Sequence, residues 1–448
     1  MTLATFDRPA EVRTKSGFPD FLDPIETASR EDLNRHQEAA LVAMGEYAFS
    51  RAPLITETWK AAGITPGDIR SLADFVEKAP FIDKDSVRAY RDRNNDPAGG
   101  MGRYGPGEIT QIGTTSGTTG DPTPVPSGRR TTAEISFARD LWHLGLRPGG
   151  FHSHIMFTFR GGSRRRFLQE LGIGEINFSM DPREMPRLCE ASRRFRPTTM
   201  SIMPNPLLMV LEQHFERSGE DPVDTFKSYG GALFGGEPLS ARLGALAKSW
   251  GLEIYENTSL GDVCGATECR ARAGMHAYED LAFIECVDPM GTAAVKDGEV
   301  GELVVTTLVD RFTPLVRYRT GDLVTLDRSR CACGRTHVRF KILGRATDQI
   351  LVEGRTVLPR ELMGYVELHS ETRHGLFQII RTQREMDMLR LRVGYDTSRL
   401  ADTVHALHGR LTDDLTAKMG VAVQIELVEE QELLKLGPPH KIPRVTKQ

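Results

Sequence analysis

Between Gln111 and Thr123 the chain reads Gln-Ile-Gly-Thr-Thr-Ser-Gly-Thr-Thr-Gly-Asp-Pro-Thr, where small hydroxyl residues crowd among glycines. Glycines let backbone N–H groups turn inward, and the hydroxyls of Thr115, Ser116, Thr118 and Thr119 add donors, so the stretch suits a phosphate group. The G-x-x-x-x-G-K-[ST] spacing is missing because no lysine follows Gly120, so positive charge must arrive from elsewhere. The same composition also suits a plain surface loop. A second set of residues could hold a metal. Cys269 and His276 are separated by six residues, and Cys331 and Cys333 form a C-x-C pair further on. Three thiolates and an imidazole make the closed donor set of a structural zinc site, with no open position for catalysis. Buried free thiols are the alternative, and Cys264 competes for one ligand place. Cys189 and Cys286 read as packing residues.

The chain that must position these groups has 448 residues, enough for two or more domains and a large core. Hydrophobic residues at 39% and charged residues at 26% are ordinary for a soluble globular protein. A net charge of −4, with arginines interspersed among acids, argues against a nucleic-acid binder. No eighteen-residue apolar run and no signal-like start occur, so a cytoplasmic protein with no membrane partner is expected. Six cysteines are too few for a disulfide scaffold in a chain this long.

Residues 1 to about 110 form a helical lead-in, with a helix expected over Arg30 to Arg51 and breaks at Thr65-Pro-Gly67 and Pro97 to Gly107. From about 130 to 262, strands at His152 to Phe159, Thr198 to Met203, Tyr229 to Phe234 and Leu252 to Tyr255 alternate with helices near Met185 to Phe195, Pro206 to Glu216 and Ser240 to Trp250. That alternation predicts an α/β architecture with a mostly parallel sheet, and ligands at its strand ends. From about 265 to 344 the runs are short and β-rich, cut by turns at Asp297-Gly298 and Gly321-Asp322, which fits an antiparallel subdomain. After Gly344-Arg345 the pattern reads strand, helix, strand, strand, helix, strand: Leu351 to Glu353, Pro359 to Leu368, Leu376 to Arg381, Met388 to Tyr395, Thr397 to Met419 and Val421 to Val428. A large domain over 1–344 and a small α+β C-terminal domain over 345–448 are expected.

In order along the chain stand the hydroxyl-glycine loop, Gly236-Glu-Pro238, Tyr318-Arg-Thr-Gly-Asp322, Gly344-Arg345 and Lys441 near the end. That series resembles the adenylate-forming superfamily of acyl- and aryl-CoA ligases. Within it the chain looks most like the phenylacetate-CoA ligase group. The closer likeness rests on Pro80-Phe-Ile-Asp-Lys84, Glu268-Cys269, Gly274-Met-His276, Glu279-Asp280, Asp288-Pro289, Cys331-Ala-Cys-Gly-Arg335 and Lys441-Ile-Pro-Arg-Val445.

The resemblance implies a two-step reaction: a carboxylate attacks the α-phosphorus of ATP and releases pyrophosphate, then a second nucleophile displaces AMP. Thr115, Ser116, Gly117, Thr118, Thr119 and Gly120 would hold the β- and γ-phosphates. Gly236, Glu237 and Pro238 would line the adenine, with Ser259 also at the nucleotide, and Asp322 would accept from the ribose hydroxyls. Lys441, in a Pro/Gly-rich tail, would bridge the substrate carboxylate and the α-phosphate. Arg345 would sit at the hinge of a mobile lid, and Gly354 would flank the tunnel for the second nucleophile. The group includes members with zinc at positions matching Cys269, His276, Cys331 and Cys333. Two departures stand out. Thr347 occupies a hinge position where an acidic residue is common. Thr258 occupies the place of an adenine-stacking ring, with Tyr255 a substitute, while Asp262 stands where a glutamate binds magnesium and can still do so through oxygen.

The acid is expected between His152 to Gly162, Met203 to Pro206 and the Phe234 to Gly236 strand end, with Phe157 and Phe159 as aromatic walls. Ser163-Arg-Arg-Arg166 reads as a solvated helix start. The leading reading is an aryl or arylalkyl acid ligase using ATP, Mg2+ and CoA, with a structural Zn2+ and with homodimer formation left open. One alternative keeps adenylation but uses an amine or nitrite, and another is a nucleotide-binding scaffold without turnover.

Overall fold

Ser29 caps the first long helix, Arg30–Arg51, by accepting from Asp32 N, and a turn at Ala52-Pro53 starts the next, Pro53–Ala61. The expected lead-in helix is therefore present with the bounds read from sequence. The computed structural model describes residues 18–109, 111–114, 124–128, 131–155, 163–261, 263–383, 385–437 and 442–446. Strand β1 (Gln111–Thr114) pairs antiparallel with β2 (Pro124–Ser127), so the described flanks of the hydroxyl-glycine run are joined. Helix Thr132–His143 follows, opened by a reciprocal box in which Glu134 N donates to Thr131 Oγ1 and Thr131 N to Glu134.

One sheet of eleven strands organises the body. Its parallel half takes β3 (Phe151–Ile155), β4 (Gly174–Phe178), β5 (Thr199–Ser201), β6 (Gly231–Phe234) and β7 (Ile254–Leu260), ordered β4-β3-β5-β6-β7. Every residue of β5 and β6 is buried, as expected for parallel strands covered on both faces. The antiparallel half adds β8 (Cys264–Glu268), β9 (Met275–Ala277), β10 (Ala282–Val287), β11 (Val300–Thr307), β12 (Tyr318–Asp327) and β13 (Arg339–Arg345). Strand β7 is parallel to β6 and antiparallel to β8. It runs to Leu260, five residues past the end expected at Tyr255, and so carries the β-rich run into the same sheet instead of leaving it apart. Strand β4 and helix Thr132–His143 were not foreseen, since Gly174-Glu-Ile-Asn-Phe178 is short and only partly apolar.

Beyond the turn Ala346–Asp348 the chain forms two three-stranded sheets. One holds β14 (Ile350–Val352), β15 (Arg355–Val357) and β17 (Glu385–Met386), and the other β16 (Phe377–Ile379), β18 (Leu389–Tyr395) and β19 (Val423–Glu429). Helices Pro359–Val366 and Val404–Met419 cover them; the second is capped by Thr403 and ended by Gly420 at φ +64°. Their apolar faces share a cluster that includes Val352, Leu362, Phe377, Leu391 and Leu411. Leu376, Leu433 and Ile442 belong instead to the buried cluster of the body, which includes Met200, Leu207 and Leu243. Each such side chain contributes about 1.5–3 kcal/mol when fully buried, so the segment is docked as well as tethered. Among the described residues no helix is long and apolar enough to cross a membrane.

Candidate nucleotide and metal sites

The chain leaves β6 through Gly235 and Gly236, and only glycine fits here. A Cβ on Gly235 would stand 2.7 Å from Asn257 O, and Gly236 has φ +101°. The turn is then held by Asn205, whose Nδ2 donates to Pro238 O at 3.0 Å and whose Oδ1 accepts from Ser240 N. The Glu237 carboxylate is turned inward and meets Arg444 Nη2 at 2.8 Å. Thr258 and Ser259 lie on β7 opposite Ala266 and Gly265. Tyr255 is buried, and the Arg272 guanidinium lies 3.9 Å from its ring centroid.

Asp322 and Arg345 face each other across β12 and β13, with Arg345 Nε 3.2 Å from Asp322 Oδ1. Gly321 takes the left-handed conformation at φ +77°, and its N–H donates to Glu302, which also holds Arg319. Thr347 follows Arg345 by two residues, and its backbone carbonyl accepts from Arg381 Nη1 at 2.9 Å. Glu353 and Gly354 both have positive φ, 48° and 77°, and form the two-residue hairpin between β14 and β15. Thr115 to Gly120, Asp262 and Lys441, expected at the phosphates, the magnesium and the reacting carboxylate, lie outside the described residues, as do Phe157 and Phe159. Of the acid-binding segments, β3, β5 and β6 are adjacent strands, and Met203 N donates to Leu233 O at 2.8 Å. Under them His152 spans Thr199 and Ser201 at 2.8 Å each; burial, with His154 beside it, pushes its pKa well below the ordinary value, so the ring is neutral.

The four metal-ligand candidates come together from three places in the chain. Cys269 follows β8, His276 lies on β9, and Cys331 and Cys333 sit in the turn between β12 and β13, closed by Gly334 at φ +96°. Their donor atoms all lie within 4.8 Å of one another, with Cys269 Sγ 3.6 Å from Cys331 Sγ and Cys333 Sγ 3.4 Å from His276 Nε2. Ligands on a tetrahedron of about 2.3 Å radius stand about 3.8 Å apart, so little movement separates this set from a zinc shell. His276 Nδ1 is 3.1 Å from His337 O, which fixes the ring with Nε2 toward the sulfurs. Cys264 points elsewhere, onto Gly265 O, and is not a ligand competitor. Cys189 and Cys286 are buried, and burial raises each thiol to about 11. The acids of Glu279-Asp280 tie the lead-in to the body: Glu279 accepts from Arg30 and Val338 N, and Asp280 takes both arms of Arg139. Arg444 was not singled out in the sequence, although it lies in the motif that carries Lys441.

Solved structures share this architecture. A 2-hydroxyisobutyryl-CoA ligase in its postadenylation state, bound to its acyl-AMP, matches with TM-score 0.81 at 23% identity, covering 99% of this chain and 94% of that one. The same ligase in its thioesterification state, with acyl-AMP and CoA, gives 0.67 at 24% identity over 96% and 92% of the two chains. The fold is that of the adenylate-forming ligases, and the chain is an ATP-dependent, AMP-forming acid ligase. A phenylacetate-coenzyme A ligase of Pseudomonas putida is 31% identical over 354 residues, 76% of this chain and 77% of its own. That of Thermus thermophilus is 28% identical over 452 residues, 94% and 96% of the two chains. The chain belongs to the phenylacetate-coenzyme A ligase family. No protein-family model matches it.

Proposed function

We propose that this protein joins an aryl or arylalkyl carboxylic acid to CoA through an acyl-adenylate. In the first step a carboxylate oxygen bonds to the α-phosphorus and pyrophosphate leaves; in the second the CoA sulfur bonds to the carbonyl carbon and AMP leaves. The observation that carries this reading is the ordered site: the Gly236-Glu237-Pro238 turn lies under the tail that bears Lys441, and Asp322 and Arg345 stand together where the C-terminal segment begins. Thr115 to Gly120 and a magnesium on Asp262 would offset the triphosphate charge, and Lys441 would offset charge developing at the α-phosphorus. Asp322 would exchange its Arg345 contact for the ribose, freeing the guanidinium for phosphate or for the hinge. Residues 345–448 would act as a small mobile domain, and the better match to a postadenylation state than to a thioesterification state supports reading the present pose as the adenylating one. In the second pose the Gly354 hairpin would border the CoA path.

Cys269, His276, Cys331 and Cys333 fit a structural zinc, which would tie the β8–β9 turn to the β12–β13 turn and take no part in the reaction. Pyrophosphate release screened over aryl acids with CoA, amines or nitrite tests the reading. Acid-dependent release with CoA-dependent AMP formation is expected. Release that responds only to an amine or nitrite overturns the choice of acceptor, and silence with every substrate overturns adenylation itself.

A further inference from the structure

Arg444 is bound on both sides of the seam between body and C-terminal segment. Its Nη2 meets Glu237 Oε2 at 2.8 Å, with the two side chains only 8% and 5% exposed. Its Nη1 donates to Gly375 O at 2.6 Å, and the guanidinium lies 4.9 Å from the Phe377 ring centroid. Around it the tail runs as an extra parallel partner of β16: Ile379 N donates to Arg444 O, Thr446 N to Ile379 O, and Gln378 Nε2 to Pro443 O. Ile442 buries in the body's core. Backbone bonds therefore fix the tail to the C-terminal sheet, while one ion pair fixes it to the loop proposed to hold adenine.

A buried ion pair is weak as a source of stability, because desolvation offsets most of the attraction; its best-attested use is to select one register. Arg444 Nε, moreover, is buried without a hydrogen-bond partner among the described residues, so this arginine is incompletely satisfied in the pose it holds. Lys441 stands three residues earlier in the same short tail.

We propose that the Arg444–Glu237 pair is a register lock that seats the tail 442–446 against the nucleotide loop for adenylation and opens before transfer to CoA. The inference rests on the function proposed above. Arg444 acts here as a positioning residue, through the seating of the tail. A side chain that sets alignment within about 1 Å can govern roughly 100-fold in rate without touching the reacting atoms. The lock also makes the adenine loop a sensor, since Glu237 couples nucleotide binding to the seating of the tail.

The test uses the full chain with Arg444→Gln, Arg444→Lys, Glu237→Gln and the Arg444→Gln/Glu237→Gln double variant. Acid-dependent ATP–pyrophosphate exchange reads the first step, and CoA-dependent consumption of supplied acyl-adenylate reads the second. Arg444→Gln is expected to lower the exchange kcat by about 10- to 100-fold with little change in KM for ATP, and to leave the second step within about two-fold. Arg444→Lys should recover part of the loss, and the double variant should be no slower than Glu237→Gln alone. Equal loss in both steps, or exchange unchanged in Arg444→Gln, overturns the lock. If the unaltered protein shows no exchange with any acid, the function proposed above fails instead. Hydrogen exchange then decides the lock by itself: in either single variant the Ile379 and Thr446 amides and the loop amides of 235–237 should lose protection together, and unchanged protection overturns it.

Discussion

The body and the C-terminal seam both rely on arginine–carboxylate pairs, but they use them differently. In the body, Arg335 and Glu26 are 3% and 0% exposed, Arg139 grips Asp280 with two nitrogens, and Arg317 does the same with Glu285. The Arg335–Glu26 and Arg317–Glu285 pairs each belong to one carboxylate and are closed off from water, while Arg139 also reaches the half-buried Asp23. At the seam Arg444–Glu237 is sealed like the pairs of the body, but other acids are shared: Glu212 takes Arg242 and Arg373, and Glu216 takes Arg373 and Arg399. Arg360 and Glu256 are 51% and 25% exposed. Pairs that share acceptors and stay near water can exchange partners at little cost, whereas sealed pairs cannot separate without stranding a charge. The difference teaches that the lead-in is sealed into the body, while part of the C-terminal segment's contact is made by shared and more exposed pairs.

The sharpest way to break this comparison is to remove one partner of a sealed pair. Arg139→Met leaves Asp280 buried without its guanidinium and should cost about 3–5 kcal/mol in a denaturant or calorimetric measurement. A loss below about 1 kcal/mol would mean that the body pairs are no more permanent than those of the seam. Next in size is the Cys/His set. Metal analysis of protein prepared without chelators should find near-stoichiometric zinc, and Cys331→Ser/Cys333→Ser should abolish it. That variant should also lower Tm by several degrees, at roughly 2–4 °C per kcal/mol for a large domain. Zinc-free protein with an unchanged Tm would exclude the metal and leave three buried groups and the half-buried Cys333 thiol in its place.

How much could be read from the sequence differs between the same two regions. The C-terminal pattern was legible because its strands alternate cleanly: Leu389–Tyr395 buries Leu389, Leu391 and Val393, and the helix Val404–Met419 repeats Leu407, Leu411 and Leu415 at helical spacing. Strands β15 and β17, only three and two residues long, carry too little pattern to register. The metal set was legible because cysteine and histidine are rare enough for composition to speak, and the fold then gathered all four. The seam was not legible. Arg242, Arg373, Arg399 and Arg444 look like any surface arginines, and their contacts across the seam come only from the docking of segments more than 100 residues apart. The motif acids Glu279 and Asp280 were quoted for likeness alone, and the structure makes them struts for Arg30 and Arg139.

A smaller effect probes the seam by pH. His374 is buried between Glu212 and Glu430, with Nδ1 2.8 Å from Glu430 and Nε2 3.6 Å from Glu212. Burial lowers its pKa, as does the charge of Arg373, but the two carboxylates outweigh them and the net shift is upward. A histidine with a raised folded-state pKa contributes stability that is complete below its unfolded value near 6.5 and is lost as pH rises through the folded value. Proteolysis at the 345–348 connection should therefore speed up as pH is raised from about 6.5 into the alkaline range, and His374→Gln should flatten that dependence. In the body the Arg139–Asp280 pair does not titrate in this range, but burial raises the Asp140 carboxyl to about 7, so the control for the seam is the His374→Gln protein measured over the same pH values.

The smallest expected effect is the most discriminating about motion. Arg360→Ala removes an exposed pair with Glu256 and should change global stability by no more than about 0–1 kcal/mol, less at high salt. A pose equilibrium is more sensitive than a melting curve, because 1 kcal/mol there is about a five-fold change in populations. If the seam permits release, the variant should show an unaltered Tm together with faster cleavage at 345–348 and a salt dependence weaker than that of the unaltered protein. If cleavage and Tm instead move together, the seam unfolds with the body, and the contrast between sealed and shared pairs carries no mechanical meaning.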